Sequence, residues 1–308
     1  IPESVTRIGD WAFEYCESLT SITIPQGVVS IGDWAFHLCG GLVSVTIPEG
    51  VMYIGDYAFN ECQSLTGIPI PKSVTRIGDG AFNGCGSLVN ITIPQGVTDI
   101  GGGAFNGCGS LTSITVPEGV TSIGSGLFNW CKKLASVALP EGVQCIGDSA
   151  FNMCLNLTSI TIPKSVACIG DGAFNDCGSL THVTIPEGVV SIGSGAFGRC
   201  GRLADITIPG SVASIGSKAF IQCKQLTGVT LMKGVTHIGK GAFQECANLT
   251  CAGLPEGISS ISDSLFYQCG SLASVTIPEG VTHIGKEAFS GCKGLTGITI
   301  PDSVTGIQ

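Results

Sequence analysis

Residues 70–92 read IPKSVTRIGDGAFNGCGSLVNIT, and residues 93–115 read IPQGVTDIGGGAFNGCGSLTSIT. The same 23-residue frame opens at Ile1, Ile24, Ile47, Ile70, Ile93, Val116, Leu139, Ile162, Ile185, Ile208, Leu231, Leu254 and Ile277, without insertion or deletion, and Ile300 opens a partial fourteenth copy. All 13 Phe residues fall on position 13 of the frame, from Phe13 to Phe289, and position 19 is Leu in every full copy. Position 8 is Ile throughout, position 5 is Val except Ile258, position 12 is Ala except Leu127 and Leu265, and position 16 is Cys in all thirteen copies. A unit this short cannot cover its own apolar residues, so each copy must bury its neighbour and the apolar columns must run along a stack. The expectation is a single domain over residues 1–308, thirteen repeats plus the start of another.

Composition is uniform from end to end, which favours growth by repetition over two separately packed domains. Only 12% of the residues are charged and 46 are Gly. The mean hydropathy is +0.43, yet no apolar run is long enough to cross a bilayer, so no transmembrane segment is expected in the chain. A net charge of -9 repels phosphate backbones, and no basic patch with interleaved aromatics occurs, so nucleic acid is not an expected partner. Ile1 already stands on the first position of a repeat, so any signal peptide, cap or anchor is expected to lie outside this stretch.

Within each repeat, positions 19 to 23 and position 1 of the next copy read L-x-x-I-T-I. This β-branched, partly alternating run predicts a short strand paired in parallel with its equivalents. Pro at position 2 ends it, because Pro has no N–H for the ladder. The V-T-x-I-G segment predicts a weaker strand or an extended turn. A-F-x-x-C-x-x-L has the spacing of a single helical turn. Gly at position 9 is expected to supply a turn conformation that other residues avoid. At roughly 4.8 Å between paired strands, thirteen repeats would give a sheet about 60 Å long.

The motif L-x-x-I-T-I-P-x-x-V-x-x-I-G-x-x-A-F-x-x-C resembles the BspA-like class of leucine-rich repeats, and the resemblance covers the whole chain. It implies a leucine-rich-repeat right-handed solenoid, with a parallel sheet on its concave face and short strands and single helical turns elsewhere. It also implies a cell-surface or secreted protein of a host-associated bacterium or a protist, in a class that includes adhesins. The Asn ladder that follows the strand in many other leucine-rich repeats is replaced here by Pro and Gly or Ser. The turn must therefore satisfy its backbone in another way.

Thirteen of the 16 Cys residues form the position-16 column, in phase with Phe and Leu, and are expected to be reduced, buried fillers. Cys145 and Cys168 share position 7 of adjacent repeats and are the best disulfide candidates, although parallel side-chain directions favour two stacked free thiols. Cys251 is expected to be an exposed thiol. His237 and His283 share position 7 two repeats apart, roughly 10 Å by strand spacing, which is too far for one metal ion. No metal site, cofactor or catalytic residue is expected: no C-x-x-C, nucleophile elbow or phosphate loop occurs, and no insertion breaks the frame to build a pocket. The sequons at Asn90, Asn156 and Asn248 matter only in a eukaryotic secretory pathway, and two of them enclose a core Leu.

Two surfaces could meet a partner. Position 23 alternates with buried neighbours and should face the concave side, placing Thr23, Thr46, Thr92, Thr115, Thr161, Thr184, Thr207 and Thr230 in one exposed row. Position 11 is Gly in six repeats but Trp11, Trp34 and Tyr57 in the first three, with Tyr15 and Tyr53 in the same region. Residues 1–115 hold 3 basic and 10 acidic side chains, a net of -7 out of the total of -9. The aromatic stripe, flanked by Asp10, Asp33 and Asp56, is expected either to contact a protein or glycan or to pack on an adjoining cap or domain. The function expected is non-enzymatic binding, adhesion to proteins or glycans of a host or neighbouring cell, such as a host extracellular-matrix protein. A structural spacer presenting another domain is one alternative, and an ice-binding Thr array is a second.

Overall fold

The column of position-8 isoleucines carries the most regular strand ladder. The computed structural model describes residues 1–308, arranged as two compact units, Ile1–Val143 with Ala150–Asn156, and Gln144–Ser149 with Leu157–Gln308. In the first unit Ser30–Ile31, Tyr53–Ile54, Arg76–Ile77 and Asp99–Ile100 form one parallel sheet, each residue paired with its equivalent 23 positions on. In the second unit Cys145–Ile146, Cys168–Ile169, Ser191–Ile192, Ser214–Ile215 and His237–Ile238 pair in the same way. Ser260–Ile261, His283–Ile284 and Gly306–Ile307 form a further three-stranded group. The segment expected to be the weaker strand is thus the steadier one.

The ladder at positions 21–23 is broken into shorter sheets. Ser21–Thr23 pairs with Ser44–Thr46, and Ser113–Thr115 with Ser136–Ala138. Between them Pro69 stands where Thr is usual, and the pairing contracts to a single bridge, Gly67 to Asn90. Pro lacks the N–H that its neighbours donate, which accounts for the loss. In the second unit Asp205–Ile208, Gly228–Leu231, Cys251–Gly253 and Ser274–Thr276 form a four-stranded sheet. Each unit is therefore a parallel-strand solenoid with one rung per repeat.

The core follows the columns read from the sequence. Phe36 through Phe266 have no solvent exposure, nor do the Leu residues of position 19 from Leu42 to Leu272. Rings stack in register: Phe13 to Phe36 at 5.1 Å and 2°, through to Phe128 and Phe151 at 5.4 Å in the first unit, and Phe174 to Phe289 in the second. These rings and their Leu, Ile and Val neighbours bury most of the apolar surface, at about 25 cal/mol per Å² removed from water.

No helical turn forms at A-F-x-x-C-x-x-L. The segment is a run of tight turns, with Ala12 N–H donating to Gly9, Glu14 to Trp11, Cys16 to Phe13 and Leu19 to Cys16, each bond spanning three residues. Positions 11 and 15 have positive φ in all thirteen repeats, from 53° at Ser149 and Ser264 to 79° at Gly291. In the turns from position 9 to 12 and 13 to 16 these residues stand third of four, where a type II turn demands the left-handed region. The reversal of hand turns alternate N–H groups towards the next repeat: Trp11 donates to Asp33, Phe13 to Ala35 and Tyr15 to His37. A helix would direct all these donors back into its own chain. The three-residue spacing of apolar positions is common to both arrangements, which is why the sequence suggested a helical turn.

Position 9 also differs from expectation. Its glycines do not take positive φ; they permit close approach. A Cβ on Gly55 would lie 2.5 Å from the Gly32 carbonyl carbon, and one on Gly170 2.7 Å from that of Gly147. Ser262 is the one non-glycine at this position among the thirteen full copies, and its hydroxyl bonds to the Ile238 carbonyl.

Candidate functional site

Polar ladders fix the outer turns before any partner is considered. At position 10, Asp33 N–H donates to the Asp10 carboxylate at 3.0 Å, Asp56 to Asp33 at 2.9 Å and Asp79 to Asp56 at 2.9 Å. The same bond recurs in the second unit, from Asp171 N–H to Asp148 and from Lys286 N–H to Asp263. At position 14 an Asn ladder runs Asn106 to Asn83 to Asn60, with Nδ2 donating to Oδ1 of the preceding repeat at 2.8 and 2.6 Å, and ends on His37 Nδ1 at 2.8 Å. The Asp ladder thus satisfies backbone N–H groups of position 10, while the Asn ladder joins side chain to side chain.

Cysteine completes the set. From Cys39 to Cys154 and from Cys200 to Cys292, the position-16 thiol bonds to the carbonyl of the preceding repeat's Phe, as in Cys62 to Phe36 at 3.2 Å and Cys223 to Phe197 at 3.1 Å. These thiols are free, and nearly all are buried. Burial pushes Cys39 up to about 11 and Cys131 and Cys269 to about 12, so they stay protonated. Cys145 and Cys168, by contrast, are joined, with Cα atoms 5.0 Å apart. The expectation of two stacked free thiols is thereby corrected: the parallel pairing of position 7 brings the backbones within ordinary disulfide reach. Cys251 is exposed and unbonded.

The rings of the first three repeats lie on the left-handed columns. Trp11, Trp34 and Tyr57 have φ of 55°, 58° and 54°, and Tyr15 has 59°. Bulky residues rarely adopt this conformation, which costs about 1–2 kcal/mol each relative to the right-handed region. Trp34 stacks on Tyr57 at 4.3 Å and 17°, and the Tyr57 ring in turn covers the space beside Gly80, where a Cβ would strike it. His37 stands edge-on to Trp34 at 4.7 Å and to Tyr15 at 5.8 Å. Sequence reading did not single out His37; its only signal was a break in a column where Asn is commonest. Trp11 is 57% exposed and Tyr15 61%.

Asp10, Asp33 and Asp56 precede Trp11, Trp34 and Tyr57 in the chain, each with one carboxylate oxygen held by the next repeat. Tyr53 lies apart on the position-7 strand, its hydroxyl donating to Asp33 at 3.1 Å and Arg76 over its ring at 5.4 Å. Burial and the bond to Asp33 push its hydroxyl up to about 12. Thr23, Thr46, Thr92, Thr115, Thr161, Thr184, Thr207 and Thr230 are all exposed. Their row carries no aromatic anchor, and a shallow notch lined by Gly67, Pro69 and Asn90 interrupts it where the strand fails.

A match to the BspA type leucine-rich repeat region covers residues 1–112, 98–227 and 190–308. The chain belongs to this family. Leucine-rich repeat proteins of known structure resemble it. A leucine-rich repeat protein from Bacteroides ovatus shares 31% identity over 92% of this chain and 88% of its own, with a TM-score of 0.66. A leucine-rich cell surface protein from Faecalibacterium prausnitzii shares 33% identity over 91% and 87%, with a TM-score of 0.62. The pneumococcal vaccine antigen PcpA, at 22% identity over 99% and 80%, shares the fold, with a TM-score of 0.62. No curated protein matches the chain. As a BspA-type repeat array, the chain has the fold of a protein-binding scaffold, and no helix in it is long and apolar enough to cross a membrane.

Proposed function

We propose that the chain is a non-enzymatic adhesive module of a bacterial cell-surface or secreted protein, and that its partner docks on Trp11, Tyr15, Trp34 and Tyr57. The observation that carries this reading is the placement of large rings on left-handed backbone at an exposed corner. Gly occupies position 11 in six other repeats and would remove the backbone cost. Trp11 and Tyr15 are among the most exposed large apolar residues of the chain, and Trp34 and Tyr57 beside them are half-buried. In the second unit the corresponding position-15 column is instead closed on itself: Arg199 bonds to Asp176 and Gln222, and Gln222 to Glu245. The cell-surface description of the Faecalibacterium relative supports the location.

The test is binding of the purified chain to immobilised extracellular-matrix and plasma proteins and to a glycan panel, beside a W11G/W34G/Y57G variant. Saturable binding that the variant loses supports the reading. Equal binding by both proteins removes the rings from it, and no binding to any target would favour a spacer.

A further inference from the structure

We propose that the ring-bearing corner takes a basic, arginine-containing segment of a protein partner, with guanidinium groups laid over Trp11 and Trp34. The inference rests on the docking site proposed above and specifies its occupant.

Three observations lead to it. The rings border a line of carboxylates, Asp10, Asp33, Asp56 and Asp79, spaced one per repeat and oriented by backbone N–H donors. Glu14 and Glu61 add charge on the adjoining turn positions, and residues 1–115 carry a net of -7. Such a line gives a persistent negative potential beside a π surface, a combination that favours a cation over an acidic strand. Two of the three local cations are already engaged: Arg7 sits 3.6 Å from Asp10, and Arg76 3.0 Å from Asp99.

The chain also shows the contact in miniature. Arg76 lies over Tyr53 at 5.4 Å, and Lys132 lies over Trp130 at 5.0 Å, Trp130 being on the position-15 column. Trp34 has Tyr57 on one face and His37 at its edge, and Trp11 is more than half exposed with no such cation over it. Arginine suits the site better than lysine, since a planar guanidinium stacks on a ring while its N–H fork reaches a flanking carboxylate.

The experiment titrates fluorescein-labelled octa-arginine, octa-lysine and octa-glutamate peptides into the full chain and follows anisotropy at low and physiological salt. W11G/W34G removes the rings, and D10N/D33N/D56N removes charge while the Asn oxygen still accepts the next N–H. Urea midpoints confirm that both variants are folded. The expected result is saturable octa-arginine binding, tighter than octa-lysine, weakened at least tenfold by either variant, with none for octa-glutamate. Octa-arginine binding unchanged in W11G/W34G would be charge adsorption alone and overturns the proposal. If a matrix protein or glycan binds through the rings but is neither displaced by octa-arginine nor weakened by D10N/D33N/D56N, the docking site stands and the basic occupant is wrong. If no target depends on the rings, both readings fall.

Discussion

The Cys131 thiol lies 3.1 Å from the Phe105 carbonyl oxygen and donates to it, bridging two repeats inside the core. The carbonyl also accepts the Cys108 N–H at 3.2 Å, so the thiol is its second donor, reaching it from the next repeat, as well as a filler of space. Cys131→Ala is expected to cost about 1–2 kcal/mol, combining a small cavity with the loss of that second hydrogen bond. Cys131→Ser, which keeps a donor, should cost less. Urea denaturation decides the point: a Ser variant as unstable as the Ala variant would reduce the thiol to a filler.

The thiol column also predicts how the protein responds to alkali. Native thiols held at about 11 to 12 keep their protons where unfolded ones, near 9.0, lose them. Above pH 9 the unfolded chain therefore binds fewer protons than the native one, and stability falls as pH rises. Below pH 9 these groups contribute no slope. Unfolding midpoints between pH 7 and 10.5 should show that break, and native protein should react with a thiol reagent chiefly at exposed Cys251. Rapid labelling of Cys108 or Cys154 would contradict the buried column.

Two glycines without crowding separate backbone strain from packing. Gly195 has a φ of 61°, and an added Cβ would meet nothing within 4 Å; Gly253 is equally open but has ordinary φ. Gly195→Ala should cost about 1–2 kcal/mol through conformation alone. Gly253→Ala, in a strand, should be neutral or gain up to about 1 kcal/mol. Equal effects at the two sites would deny that the left-handed columns are under conformational selection.

Gly55→Ala should be worse than either. Its Cβ would sit 2.5 Å from backbone atoms of Gly32, and backbone cannot swing aside as a side chain can. A loss of about 3 kcal/mol or more, or failure to fold, is expected from overpacking of this kind. A stable Gly55→Ala variant would show that the rungs can separate.

Reduction of the Cys145–Cys168 bond should lower stability by roughly 3 kcal/mol, the chain-entropy effect of opening a loop of this size. Intact-mass measurement before and after a reductant checks the bond, and a Cys145→Ser/Cys168→Ser variant, insensitive to reductant, checks the energy.

The columns of Phe, Leu, Ile and Val were legible from the sequence because burial repeats with the frame, and so was the parallel stacking that follows. The turn geometry was not. Phe13 and Cys16 have the spacing of a helical turn, and only the six glycines of position 11 and Gly84, Gly107 and Gly291 at position 15 hinted at positive φ, since Trp34 and Lys218 adopt it without being glycine. The strength of the position-8 ladder was hidden because its partners are other repeats, whose influence exceeds the propensity of two residues. The aromatic corner was visible as a departure from consensus at Trp11, Trp34 and Tyr57. The part played by His37 depends on a hydrogen bond to Asn60 in the next repeat, a relation that no single repeat displays.

The ladders have a bearing on how such a protein changes over generations. Each Asn, Asp and Cys bond joins the same two frame positions of adjacent repeats, 23 or 26 residues apart along the chain. Unequal recombination that deletes or duplicates one whole repeat therefore restores every bond at the new junction. Slippage by any other length breaks all of them together. The gene can lengthen or shorten its product in whole rungs at little energetic penalty, while departures from consensus such as Trp11 and Trp34 travel as cassettes to new places along the array.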